Sequence, residues 1–297
     1  MAEIILEIEN LCKNYGALKA LSNLNVKVES GTVFGILGPN GSGKTTALGI
    51  LLGVVNKDSG AFSWFGNDET DENRRRIGAI LEGPVFYPYM NALENLNVIA
   101  KTKACGTERT EEVLKLVGLF DRKEDAFKGY SLGMKQRLSI AAALLNDPEV
   151  LILDEPTNGL DPQGIADIRT LISQIAKAGK TIILASHLLD EVQKVCTDFA
   201  ILRYGKLIYQ GSVDDLNIGR IEMSSEDNAL LRKSLENSAL VTSFREQGDH
   251  FIIQVKPETT NQSIHKELIE NGVVLSLLKR LDKDLEQQFL DILEQQS

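Results

Sequence analysis

No run of about 18 consecutive apolar residues occurs in the 297-residue chain, and its first ten residues, MAEIILEIEN, lack the order of basic, apolar and small residues that marks a secretory leader. The expectation is a cytoplasmic chain that does not span a membrane by itself, so that any membrane role needs a partner. Cysteine is scarce. Cys12, Cys105 and Cys196 form an odd, scattered set without metal-ligand spacing, which argues against a disulfide framework and a cysteine-based zinc site and leaves reduced thiols. Blocks of Lys or Arg are missing as well, and the formal net charge is −10. That balance argues against wrapping nucleic acid or anchoring to anionic lipid as the main business. The chain is 43% hydrophobic and 25% charged, the proportions of a globular protein able to bury the cores of one large and one smaller domain.

What the sequence does have is GPNGSGKT, Gly38 to Thr45. It follows an apolar run, Val33 to Leu37, that reads as a buried strand, and precedes Thr46 to Leu52, which reads as a helix. In the spacing G-x-x-x-x-G-K-T, Gly38, Gly41 and Gly43 let the backbone curl so that successive N–H groups face inward, where a helix start also presents partial positive charge. The bland alternative is a Gly-rich turn carrying a chance lysine; the strand before and the helix after decide against it. The stretch therefore predicts a nucleoside-triphosphate site made by Gly38, Pro39, Asn40, Gly41, Ser42, Gly43, Lys44, Thr45 and Thr46. Lys44 would reach the β- and γ-phosphates and Thr45 would hold Mg²⁺.

Ile4 to Ile8 and Leu24 to Val28 alternate as an antiparallel pair of half-buried strands. Tyr15 lies between them in a polar segment read as a turn; it is either a surface tyrosine or an aromatic plate for a base, and composition does not choose. Ala61 to Phe65 and Ile77 to Leu81 read as further strands, the second ending at Glu82. Glu82 is either the first exposed residue after a strand or a ligand group at the edge of a sheet. Ala92 to Phe120 suggests two or three helices, part of a helical lobe covering about 85–145, and Ser131 can cap a long helix read from Met134 to Leu145. Val150 to Leu153 is an apolar strand ending in Asp154 and Glu155. Strand alternation would aim the two carboxylates at opposite faces, leaving Asp154 for Mg²⁺ and Glu155 for the attacking water. Lys180 to Leu184 is another strand, running out at Ser186 and His187, and Ala200 to Leu202 with Leu207 to Tyr209 reads as a hairpin.

After about residue 217 the sequence turns polar and carries no phosphate motif. Strands at Arg220 to Met223, Val241 to Arg245, His250 to Val255 and Val273 to Leu278 alternate with helices at Asp227 to Leu235 and Gln262 to Glu270, the β-α-β-β-α-β order of a ferredoxin-like unit, with a last helix at Leu285 to Gln295. The expected division is 1–216 for the nucleotide-binding domain and 220–297 for a small accessory α+β domain.

Taken in order, these motifs resemble the nucleotide-binding subunit of ATP-binding cassette (ABC) transporters. GPNGSGKT is similar to Walker A, and VLILDE, Val150 to Glu155, to Walker B with its catalytic glutamate. YSLGMKQR, Tyr130 to Arg137, is similar to the signature motif; it keeps Ser131 and Gly133 and departs from LSGGQ at Leu132 and Met134. Asn158 to Asp161 resembles the D-loop, His187 the switch histidine and Tyr15 the adenine-stacking aromatic. Glu82 stands where most members carry the Q-loop glutamine, so a Mg²⁺ contact there would bring a charge in place of a neutral amide. Ile77 to Leu96 is similar to subunits of bacitracin- and lantibiotic-type export and immunity systems, where a Glu is usual.

The resemblance implies an α/β P-loop ATPase with a mixed-sheet core, an antiparallel β subdomain and a helical lobe. It implies that ATP and Mg²⁺ are bound, that Glu155 and His187 are catalytic, and that two copies close on two ATP molecules through Ser131, Gly133 and Asp161. It further implies a separate membrane permease, through which the chain sits peripherally on the inner face of the cell membrane. Soluble relatives acting on nucleic acid carry two cassettes, long coiled coils or zinc segments, and this chain has one phosphate loop and no sustained heptads. A catalytically silent subunit is argued against by Glu155 and His187.

Overall fold

The computed structural model describes residues 3–67, 70–81, 83, 85–213, 220–256 and 259–280. The chain divides into two compact units, residues 1–211 and 212–297.

In the first unit β1 (Ile4–Tyr15) and β2 (Leu18–Glu29) pair antiparallel from Ile4↔Glu29 to Tyr15↔Leu18. β1 thus runs well past Ile8. Its second half is polar because it faces solvent, and irregular pairing around Asn10, whose φ is 49°, breaks the alternation that the sequence reading depended on. β3 (Val33–Leu37) leads into α1 (Lys44–Leu51), and β4 (Ser59–Trp64) adds to β1, giving a three-stranded sheet in the order β2-β1-β4. Buried Trp64 donates its indole N–H to Leu51 O at 3.1 Å, tying that sheet to the end of α1.

A short helix α2 (Asp71–Arg75), capped by Thr70, precedes β5 (Ile77–Ile80). The lobe follows with α3 (Ala92–Lys103), α4 (Thr110–Leu116), a 3₁₀ turn at Phe120–Arg122 and α5 (Leu132–Leu144). Asn91 and Glu94 start α3 with a reciprocal capping box. α5 begins at Leu132, two residues earlier than polarity suggested, because Ser131 caps it.

β6 (Val150–Asp154), α6 (Pro162–Lys177), β7 (Thr181–Ser186), α7 (Leu189–Val195), β8 (Asp198–Arg203) and β9 (Lys206–Ser212) complete the unit. The six-stranded sheet has the order β5-β6-β7-β3-β8-β9, parallel through β5, β6, β7, β3 and β8. Every residue of β3, β6 and β7 is buried, which is why these strands read as unbroken apolar runs: a parallel strand covered on both faces has no solvent side to show. The C-terminal ends of β3, β6 and β7 lie side by side, at Leu37, Asp154 and Ser186, so the loops carrying Gly38, Glu155 and His187 leave the sheet at one edge.

The second unit has β10 (Arg220–Ser225), α8 (Asn228–Asn237), β11 (Val241–Gln247), β12 (His250–Val255), α9 (Asn261–Glu270) and β13 (Leu275–Arg280). The strands form an antiparallel sheet in the order β11-β12-β10-β13, the arrangement of a split βαβ repeat. Phe251, Ile253 and Val255 alternate onto its buried face and pack with Leu231 and Leu268 of the helices. The helix read at Leu285 to Gln295 lies outside the described residues.

Candidate functional site

Two glycines let the loop after β3 fold as it does. A Cβ on Gly38 would collide with Leu202 O and lie 2.6 Å from Ser42 Oγ, while Gly43 has φ 106° and a Cβ there would stand 2.6 Å from Ala20 O of β2. The tip between β8 and β9 braces the loop from outside, Gly205 donating its N–H to Ser42 O at 3.0 Å. Gly43 is the N-cap of α1 and offers no side-chain acceptor, so the first amides of that helix have no cap. Ser42 Oγ is buried without a hydrogen-bond partner among the described residues. Bare amides and an orphan hydroxyl make a binding place for an anion rich in oxygen.

Lys44 and Thr45 belong to α1, two residues before the helix start read from the sequence. Lys44 is 5% exposed. It curls back over the loop, its Nζ donating to Gly38 O at 2.7 Å and Pro39 O at 3.4 Å and lying 3.3 Å from Glu155 Oε1. Thr45 Oγ1 donates to Asp154 Oδ2 at 2.8 Å. Glu155 Oε2 in turn meets His187 Nδ1 at 2.8 Å. Lys44, Glu155 and His187 therefore form one line of contacts at the sheet edge, with Thr45 and Asp154 beside it.

The two carboxylates take different partners, but strand alternation is not the cause. β6 ends at Asp154; Glu155 is already outside it, with φ 48° and its N–H on Ala185 O at 2.9 Å. A left-handed turn held by the neighbouring strand aims the second carboxylate.

Tyr15 is the last residue of β1 rather than part of a turn, 49% exposed, with Lys13 Nζ 5.3 Å from its ring centre. Its paired strand β2 passes the phosphate loop at Ala20. Ser131 and Asp161 do not join the Lys44 cluster. Each is a helix N-cap, Ser131 accepting from Met134 N at 3.3 Å and Asp161 from Gly164 N at 2.8 Å. With Gly133 they line a separate cavity of about 410 Å³ that also takes in Arg137 and Gly159. A third feature is a groove of about 250 Å³ between β5 and the lobe, lined by Ile80, Phe86, Ile99 and Ala142, with Val85 92% exposed at its rim. Glu82 lies outside the described residues.

Sequence reasoning missed Glu191 on α7, a short helix it did not read at all. Glu191 is 2% exposed and accepts from Ser186 Oγ at 2.7 Å and from Thr157 Oγ1. Nothing in the polarity of LDEVQK says that this acid turns inward. Nearby Cys196 is a free, buried thiol whose pKa is pushed far up by burial, then by Asp198 and Glu191, so it is held unreactive. Among the described residues no group of three or more His, Cys, Asp or Glu could hold a metal by itself, and no helix is long and apolar enough to cross a membrane.

The ABC transporter family profile matches residues 21–158. Over 97% of this chain and 96% of its own length, the bacitracin transport ATP-binding protein of Enterococcus faecalis is 35% identical. A lantibiotic transport ATP-binding protein of Streptococcus pyogenes is 40% identical over 71% of this chain and 92% of its own. Among solved structures, a dimeric ATP-binding cassette in a post-hydrolysis state with ADP and Pi matches with a TM-score of 0.62 at 26% identity, over 70% of this chain and 99% of that one.

Proposed function

The chain belongs to the ABC transporter family of ATP-binding proteins, and on that premise we propose that Gly38 to Thr46 cradle the phosphates of ATP while Glu155, steered by His187, activates the attacking water. It is an ATP-binding and ATP-hydrolysing transporter subunit. The observation that carries the assignment of roles is the contact line Lys44–Glu155–His187 beside the uncapped start of α1.

Lys44 has three donors and spends them on two carbonyls and one carboxylate. Phosphate oxygens offer a stronger, charge-assisted exchange, and the bare amides of the loop turn the same way. When Lys44 moves to them, Glu155 loses its cation and keeps His187, whose Nδ1 fixes the direction of the carboxylate. A carboxylate so freed and so aimed can accept the proton of a water attacking the γ-phosphate. Thr45 Oγ1 and Asp154 Oδ2 are adjacent oxygen donors and suit a small hard cation that takes its other ligands from phosphates and water. Held there by Thr45 and Asp154, Mg²⁺ would neutralise part of the phosphate charge.

Ser131, Gly133 and Asp161, gathered around their own cavity, face the ATP of a second copy, and the dimeric solved relative supports that reading. The groove at Ile80, Phe86 and Ile99 receives an apolar helix end of a separate permease. The permease reads the cargo. Full-length similarity to a bacitracin transport subunit and similarity to a lantibiotic transport subunit favour export of peptide antibiotics. The carboxy-terminal unit is an accessory domain.

Phosphate release from Mg·ATP by the purified chain is the direct test, and a folded chain that releases none removes the catalytic assignment. A chain ended at Leu216 is expected to bind ATP within about threefold of the full chain, a difference under about 1 kcal/mol; complete loss in a folded product overturns the accessory role. Tyr15→Ala is expected to weaken ATP by about 3- to 10-fold, the worth of one aromatic stack. Unchanged affinity for a fluorescent adenine nucleotide would return Tyr15 to the plain surface.

A further inference from the structure

Glu191 is one of the most deeply buried acids in the described chain, and the phosphate and metal contacts above do not use it. A carboxylate at 2% exposure is costly unless donors compensate it, so its partners indicate what keeps it there. Thr157 Oγ1 donates to Oε1 and Ser186 Oγ donates to Oε2 at 2.7 Å. The two hydroxyls belong to different segments. Thr157 lies two residues past Glu155, in a loop closed by Asn158 N on Glu155 O at 3.1 Å and Leu160 N on Thr157 O at 3.1 Å. Ser186 precedes His187, and its Oγ also accepts the N–H of Leu188 at 3.1 Å, so that one side chain fixes the backbone on both sides of the histidine. The carbonyl of Ser186 receives Gly38 N at 3.3 Å, joining the same point to the phosphate loop.

The Glu155–His187 contact at 2.8 Å is therefore backed by a second, buried bridge running Thr157–Glu191–Ser186. We propose that Glu191 is a positioning residue for hydrolysis: its carboxylate locks the loop of Glu155 to the loop of His187 and keeps the pair in register for the attacking water. The proposal rests on the roles given above to Glu155 and His187. Hydroxyl donors suit the task, because each reaches the carboxylate from a short, rigid side chain and a misplacement of about 1 Å at the reacting groups costs on the order of 10²-fold in rate.

Glu191→Gln tests it in the full chain. Gln offers one acceptor oxygen where Glu offers two; with that oxygen kept on Ser186 Oγ, which Leu188 N also holds in place, the NH₂ faces Thr157, whose hydroxyl must then reverse. The bridge loosens on the Glu155 side while size and packing are kept. The expected result is a kcat lowered by about tenfold with KM for Mg·ATP within about threefold of wild type. The chain has three histidines, so imidazole NMR adds a local readout: the His187 signals should shift or broaden while those of His250 and His265 stay in place. A purely structural brace would lower the melting temperature and leave kcat and the His187 signals of the folded protein alone. A kcat within about twofold of wild type, or an unmoved His187, overturns the proposal. Should Glu191→Gln fail to fold, Thr157→Val removes one donor at nearly constant volume and is read by the same criteria. Wild-type turnover in Glu155→Gln would instead overturn the roles of Glu155 and His187, and the positioning proposal with them, so the two failures are told apart.

Discussion

Glu155→Gln is expected to stop turnover while leaving Mg·ATP bound. The amide keeps the size of the side chain and its place beside His187 Nδ1, 2.8 Å away, but cannot take a proton from water. Groups that accept a proton or orient the nucleophile are worth about 10²- to 10⁴-fold in rate, so phosphate release should fall by at least that order. Affinity should hold or rise. Lys44 Nζ lies 3.3 Å from Glu155 Oε1, and a lysine that need not leave a carboxylate reaches the phosphates at lower cost. ATP that persists should also hold two copies together by mass action, since Ser131 and Asp161 of each are assigned to the nucleotide of the other. Light scattering with and without Mg·ATP, run beside a phosphate-release assay, reads both effects. Near wild-type hydrolysis in this variant takes Glu155 out of the reaction.

Lys44→Ala carries the second large effect, on binding. The ammonium is 5% exposed and is the charged donor nearest the bare start of α1. Its loss removes a charge-assisted contact to the phosphates, worth about 1.5–3 kcal/mol or roughly 10- to 160-fold in affinity. The variant also leaves Gly38 O without its 2.7 Å donor and Glu155 without its cation, so the loop loses part of its closure before ATP arrives. Calorimetric titration of Mg·ATP, with circular dichroism to confirm the fold, measures the loss. Undiminished binding would detach Gly38 to Thr46 from the phosphates altogether.

How far these residues were legible follows from what each kind of signal contains. A parallel strand buried on both faces must be an unbroken apolar run, so β3, β6 and β7 could be read directly, along with the residues that leave their ends. The phosphate loop was legible because its glycines are demanded by the backbone: no other residue fits Gly38 against Leu202 O or Gly43 at φ 106°. β1 was cut short because a polar, bulged strand on an exposed sheet has no period to follow. α7 escaped because a helix of 7 residues spans less than two periods.

By itself the sequence determined the class of chemistry: spacing within short segments sets which backbone can cradle phosphates, which strands must be buried, and in what order the motifs come. The β-α-β-β-α-β order of the second unit is of the same kind, being written in local periodicity. Only the tertiary structure decided who meets whom. Glu155 reaches both Lys44 and His187 because β6 and β7 are neighbours in the sheet and because Ala185 O pins the turn at φ 48°, and neither fact is local. The same holds for Ser131 and Asp161, 30 residues apart yet lining one cavity away from the phosphate loop. It holds most of all for Glu191, which looks like any surface acid until Thr157 and Ser186 arrive from two other segments to satisfy it. Burial of a charge is set by partners distant along the chain, and a sequence read in windows cannot contain them.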